Sequence, residues 1–215
     1  MQQLALSAYE SLRDGAEVLE ADRYGDKVLH LADGNFLKLF RRKRLISSAA
    51  LYPYAQRFAD NAQALQRLGI PCPQTIAVYR IPGIARDAVH YEPLPGDTLR
   101  QLIAAGDNGN ELRAQLGELI ATLHDKGVYF RSLHLGNVVR TPEGRLGLID
   151  IADMKARRRP LNRLQRKRNF AHMLRYADDR QWLLADQGAA LAAAYLRTSL
   201  VRWKAQALAQ ILNAG

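Results

Sequence analysis

Hydrophobic and polar positions divide the chain into two differently patterned halves. In GAEVLEADRYGDKVLHLADGNFLKLF, three short apolar runs alternate with polar positions, and turn-forming compositions punctuate them at Asp22–Asp26 and at Ala32-Asp33-Gly34-Asn35. This predicts three strands. In the third, Phe36, Lys38 and Phe40 share one face and Leu37 and Leu39 the other. Tyr54, Phe58, Ala62, Leu65 and Leu68 then recur at helical spacing up to Gly69. TIAVYRI and DAVHYEPL read as two further strands, with Pro82-Gly83 between them.

After Pro93–Asp97 the period changes. Leu112, Leu116, Leu119, Ile120 and Leu123 form one apolar stripe, and Gly127 stands where a left-handed residue would end the helix. VVRTPEGRLGLIDI reads as a hairpin with arms Val138-Val139 and Leu146–Ile151. Helical patterning dominates from Leu161 onward, and AALAAAYLRTSLVRWKAQALAQIL reads as one long helix or two. The expected architecture is α+β: a small antiparallel-sheet lobe with one helix over 1–92, a hinge at 93–97, and a mostly helical lobe over 98–215.

Composition narrows the classes. With 48% hydrophobic and 24% charged residues over 215 positions, the chain can fill a core. One cysteine, Cys72, excludes an internal disulfide framework and a thiolate zinc site. Neither a signal peptide nor a membrane-spanning run is expected, which predicts a soluble, cytoplasmic protein. The net charge of +10 is uneven. One basic block is Arg41, Arg42, Lys43 and Arg44, and a second runs KARRRPLNRLQRKR from Lys155 to Arg168. Each can be a solvated face. Together they point to an anionic partner: nucleic acid, a phospholipid surface or a phosphorylated substrate.

Candidate chemistry lies at three places. Lys38 sits on the third strand between apolar neighbours. Asn137 follows a helix and a tight loop, and Asp150 follows Leu-Gly-Leu-Ile. A hairpin joining Asn137 to Asp150 would set an amide beside a carboxylate, oxygen donors that suit a hard cation. A lysine for phosphates and oxygen ligands for magnesium are what phosphoryl transfer from ATP requires.

These segments resemble the protein-kinase-like superfamily, and within it the bacterial lipopolysaccharide core-sugar (Kdo/heptose) kinases, over nearly the whole chain. FRSLHLGN lies over the pattern H-G-D-L-H-x-x-N, with Leu133, His134 and Asn137 matching; LIDIADM resembles the L-I-D-F-D-R that replaces D-F-G; NFLKLF and RLGIPCP resemble the third strand and the phrase after the first helix. The resemblance implies ATP and Mg2+ as cofactors. Lys38, Glu92, Asn137 and Asp150 would meet the nucleotide, and Asn137 and Asp150 the metal. It also implies an anionic phosphosugar or glycolipid acceptor, met by Arg131, Arg157, Arg158 and Arg159, with peripheral contact at the cytoplasmic membrane face.

The departures are equally specific. Ser132 stands at the catalytic aspartate's place, and a serine hydroxyl is too weak a base at pH 7. His134 is the nearby proton acceptor, or else a loop histidine that fixes a turn; Asp153 is a second carboxylate or an arginine's partner. Only Gly25 stands where a glycine-rich loop is expected. Asn61, with Asp60 the nearest acid, holds the place of the glutamate that would pair with Lys38. Three readings stay open: a kinase, a pseudokinase that keeps the fold without transfer, and a nucleic-acid-binding protein. Oligomeric state is not legible.

Overall fold

The computed structural model describes residues 1–42 and 52–213, so Lys43 and Arg44 of the first basic block lie outside the described residues. The chain divides into two units, one made of Met1–Arg67, Cys72–Leu94 and Ile151–Asp153, the other of Leu68–Pro71, Pro95–Asp150 and Met154–Gly215.

The first unit is a six-stranded sheet. Its strands are β1 (Gln2–Gln3), β2 (Glu17–Asp22), β3 (Gly25–His30), β4 (Phe36–Arg41), β5 (Gln74–Ile81) and β6 (Arg86–Glu92). Their order is β1-β5-β6-β4-β3-β2. All pairs are antiparallel except β1 with β5. The period-two pattern of β4 survives folding: Leu37 and Leu39 are buried with Leu29, Ile81 and Ala88. Helix α1 (Leu6–Arg13), an element the sequence pattern did not announce, joins that core through Tyr9.

The opposite face of β4 carries helix α2 (Tyr54–Arg67), whose Tyr54 ring lies 6.1 Å from Phe40 and whose Phe58 ring lies 4.9 Å from Tyr91. Lys38 therefore rises between Phe36 and Phe40 on the face that α2 covers. Its cross-strand neighbours are Val28 and Val89.

The second unit is mainly helical: α3 (Leu99–Ala104), α4 (Asn110–Asp125), α5 (Arg163–Met173), α6 (Ala177–Leu183), α7 (Ala189–Thr198) and α8 (Ala205–Asn213). Thr98 with Gln101 and Asn162 with Gln165 form reciprocal capping boxes that start α3 and α5. A side chain at Gly117 would meet the Leu191 carbonyl at 2.4 Å, so this glycine permits the close packing of α4 on α7. Gly127 takes φ +77° after α4, and a Cβ there would also strike the carbonyls of Arg159 and Arg157.

Short strands complete this unit. β7 (Asp97–Thr98), β9 (Val138–Arg140) and β10 (Leu146–Leu148) form one sheet, and β8 (Val128–Phe130) pairs with β11 (Met154–Ala156). The hairpin predicted to run to Ile151 ends at Leu148, because Asp150 turns into the left-handed region at φ +52° and a short 3-10 turn follows at Ile151–Asp153. The last helical stretch is two helices, parted between Thr198 and Ala205.

A second correction concerns the basic run, whose bland reading was a solvated face. Arg166 is wholly buried. Its Nη2 donates to Asp125 at 2.6 Å, Nη1 to Tyr195 Oη at 3.0 Å and to Ser199 Oγ at 2.9 Å, and Nε to the Leu161 carbonyl at 2.8 Å. A charge can be buried here because each guanidinium nitrogen donates to an oxygen.

Candidate active site

The loop between β8 and β9 carries Arg131, Ser132, His134 and Asn137. Arg131 is exposed, and Asn137 is buried at the end of a 3-10 turn. The Asn137 side chain folds back: its Nδ2 donates to the Ser132 carbonyl at 3.0 Å, while its backbone N–H donates to the His134 carbonyl at 2.9 Å. With Nδ2 committed, Oδ1 is the atom the side chain can offer a cation. The Ile149 N–H donates to the Asn137 carbonyl at 3.0 Å, extending the β9–β10 ladder by one bond. Asp150 is the next residue, exposed and left-handed. Strained backbone at a non-glycine residue is kept where surrounding structure holds it, and functional sites are enriched in it.

Beneath the loop lies a partner that sequence reasoning missed. Asp179, only 2% exposed on α6, accepts from the Leu135 N–H at 3.0 Å, and its two oxygens receive Nε and Nη2 of Arg100 at 2.8 and 3.0 Å. A charged carboxylate thus fixes the backbone between His134 and Asn137 to α3 and α6 at once. Arg100 also covers the Tyr176 ring at 5.0 Å, and the His134 ring meets that tyrosine edge-on at 5.2 Å. Burial, aided by the Arg100 charge and opposed by Asp179 and Asp150, lowers the His134 pKa, so the imidazole is neutral at pH 7. Its Nδ1 is buried with no hydrogen-bond partner.

The remaining expected residues are spread over both units. Lys38 and exposed Glu92 belong to the sheet unit, at the centre of β4 and the end of β6. Asn61 is buried in α2 and donates through Nδ2 to the Ile151 carbonyl at 2.7 Å. The amide that stands where a glutamate was expected thereby ties α2 to the residue following Asp150. Asp60 is engaged elsewhere, accepting from Tyr52 Oη at 2.5 Å and Gln56 Nε2 at 2.9 Å. Arg157, Arg158 and Arg159 are exposed, just beyond β11 in the helical unit, with the Arg157 N–H anchored on the Gly127 carbonyl at 3.0 Å.

By their chemistry, the Asn137 amide oxygen and the Asp150 carboxylate could hold magnesium in one particular way. Among the described residues, no group of three His, Cys, Asp or Glu side chains forms a self-contained metal cage. One carboxylate and one amide oxygen are what a protein provides when phosphates complete the coordination shell.

The sequence profile of the lipopolysaccharide kinase (Kdo/WaaP) family matches residues 2–195. The chain belongs to the Kdo/WaaP family. Among curated proteins, none matches. Similar solved structures include monomeric WbdD, at 17% identity and a TM-score of 0.47, with 89% of this chain and 43% of that one covered. WbdD with the kinase inhibitor LY294002 is similar at 17% identity and a TM-score of 0.47, over 88% and 42% of the two chains. The bifunctional kinase-methyltransferase WbdD matches at the same identity and TM-score, over 88% and 41%. This Kdo/WaaP family chain therefore spans less than half the length of those structures. Among its described residues, no helix is long and apolar enough to cross a membrane.

Proposed function

We propose that this Kdo/WaaP family chain is an ATP-dependent phosphotransferase whose acceptor is a lipopolysaccharide inner-core sugar or a related anionic glycolipid. One observation carries the reading: Asn137, clamped to the Ser132 carbonyl, and Asp150, held left-handed one residue beyond the ladder, present two oxygen donors from one hairpin. Magnesium-bound ATP, when bound, supplies the phosphoryl group and neutralises its charge. Asn137 Oδ1 and the Asp150 carboxylate are the metal-side contacts, and Lys38 and Glu92 the nucleotide-side contacts. Arg131, Arg157, Arg158 and Arg159 present guanidinium groups suited to bidentate contact with an anionic acceptor. Ser132 cannot accept the acceptor's proton. His134, neutral at pH 7, keeps one proton-accepting ring nitrogen and is assigned that role.

Ser132 itself favours a second reading, in which nucleotide binds without transfer. Magnesium-dependent ATP binding, followed by calorimetry on the chain and on Lys38→Ala and Asp150→Ala, tests nucleotide binding first. Binding should weaken by at least about tenfold in Asp150→Ala with the fold retained, since the side chain is exposed and alanine in left-handed backbone costs no more than about 1–2 kcal/mol. No binding in the parent chain removes the proposal. Binding without turnover on core-sugar glycolipids selects the second reading.

A further inference from the structure

A cavity of about 490 Å³ opens beside the loop between β8 and β9, lined by α3, the start and body of α6, and Leu135. That volume lies within the range of about 300–1,000 Å³ typical of small-ligand sites. All of its lining belongs to the helical unit. Two aromatic rings form part of the wall, Tyr176 at 44% exposure and Trp182 at 7%. Both are fixed by arginines. The Arg100 guanidinium lies 5.0 Å from the centre of the Tyr176 ring. Arg113 donates to the Trp182 carbonyl at 2.8 Å and lies 4.8 Å over the Trp182 ring.

The polar groups are few. Arg100 gives Nε and Nη2 to Asp179, which leaves Nη1 with no hydrogen bond among the described residues. A Cβ added at Gly136 would lie 3.1 Å from that Nη1 and 3.3 Å from His134 Nδ1. The uncommitted donor and the bare imidazole nitrogen therefore flank one backbone position of the loop. Asp178 is exposed on the same wall. Trp182 Nε1 is buried with no partner among the described residues, a donor that a ligand oxygen can satisfy.

Charge decides what such a cavity takes. Its lining holds one cation, Arg100, against two carboxylates, Asp178 and Asp179, and Asp179 is spent on Arg100 and the Leu135 N–H. That balance repels phosphate and carboxylate groups. A sugar ring suits it, because its C–H surface packs on aromatic rings while its hydroxyls both donate and accept.

We propose that this cavity seats an uncharged pyranose ring of the acceptor, with Tyr176 against its C–H surface, Asp178 accepting from one hydroxyl and Arg100 Nη1 donating to another. Assigning that ring to the acceptor rests on the phosphotransferase reading. The acceptor is thereby divided: its charged groups belong with Arg131, Arg157, Arg158 and Arg159, and its uncharged ring with the cavity beside His134.

The test uses the full chain carrying Trp203→Phe, which leaves Trp182 as its only tryptophan. A heptose disaccharide free of phosphate is titrated without nucleotide, followed by emission and by calorimetry. Saturable binding in the millimolar range that changes Trp182 emission is expected. Tyr176→Ala and Asp178→Ala, both at exposed side chains, should each weaken it about tenfold with the circular dichroism of the fold unchanged. Inorganic phosphate should not displace the disaccharide. No saturable change in emission or heat overturns the proposal, as does binding that both variants leave intact or that phosphate abolishes. Magnesium-dependent ATP binding, measured separately, keeps the two readings apart. ATP binding without disaccharide binding removes the cavity's role and leaves the phosphotransferase reading in place. Disaccharide binding without ATP binding upholds the sugar cavity, and only its assignment to an acceptor falls with the phosphotransferase reading.

Discussion

Two histidines ten positions apart in the helical unit show how one residue type is used in opposite ways. His124 ends α4 with no exposed surface. Its Nε2 lies 3.1 Å from Asn169 Oδ1, and its Nδ1 lies 2.9 Å from Tyr195 Oη. Asn169 gives its Nδ2 hydrogen to the Phe130 carbonyl at 2.6 Å, so Oδ1 must accept from Nε2 and the tyrosine must donate to Nδ1. Arg166 then donates to that tyrosine oxygen at 3.0 Å. Every ring nitrogen is spent. His134 also has a lowered pKa, but its Nδ1 has no partner. Burial moves both titrations the same way, so the shift alone cannot tell framework from site. The completeness of the hydrogen bonding can, because a buried network that is fully satisfied has nothing left to offer a ligand.

The sharpest way to break this comparison is at Arg166. Arg166→Ala leaves the largely covered Asp125 without its cation and strips donors from Tyr195 Oη, Ser199 Oγ and the Leu161 carbonyl. Removing one partner of a buried pair costs about 3–5 kcal/mol. Urea denaturation should show a loss of that size. A loss under about 1 kcal/mol would mean the network around His124 is not a framework, and the contrast with the loop would fail.

That network was illegible in the sequence for a definite reason. KARRRPLNRLQRKR carries no mark that singles out Arg166 among its neighbours, and its partners lie 41, 29 and 33 residues away. Asp179 escaped notice likewise, standing 44 residues from Leu135 and 79 from Arg100. What could be read was local. The alternation of β4, the stripe of α4 and the glycine that ends it are consequences of neighbouring residues, and each appears as its period predicts. Ser132, His134 and Asn137 could be grouped because one loop holds them. A turn beginning at Asp150 could be read from its place after Leu-Gly-Leu-Ile, but its left-handed backbone could not.

A smaller effect tests His124 through pH. Burial pushes its pKa down to about 3, against an ordinary value of 6.5. Below pH 6.5 the unfolded chain binds a proton the native chain refuses, so the contribution is complete above that pH and is lost as pH falls toward 3. Between pH 7 and pH 5 the loss is about 2 kcal/mol for one such group. His124→Gln should flatten the stability difference measured at these two pH values by that amount. An unchanged slope would show that His124 takes up its proton in the native state and is not held neutral by its neighbours.

The smallest effect on stability belongs to His134, and there the contrast becomes functional. With no partner on Nδ1 and a partly exposed ring, His134→Ala should cost under about 1 kcal/mol. Its readout is kinetic. A residue that accepts the acceptor's proton contributes on the order of a hundredfold or more to turnover. A base must be unprotonated to work, so kcat should fall on the acid side of neutrality, at a pH below the ordinary histidine value because the pKa is lowered. His134→Ala should abolish that acid limb along with most of the rate, while leaving magnesium-dependent ATP binding in place. If instead the variant unfolds easily and turns over normally, His134 belongs with His124 as framework. Turnover would then rest on the metal-side and nucleotide-side contacts alone, and the loop's serine would need no substitute.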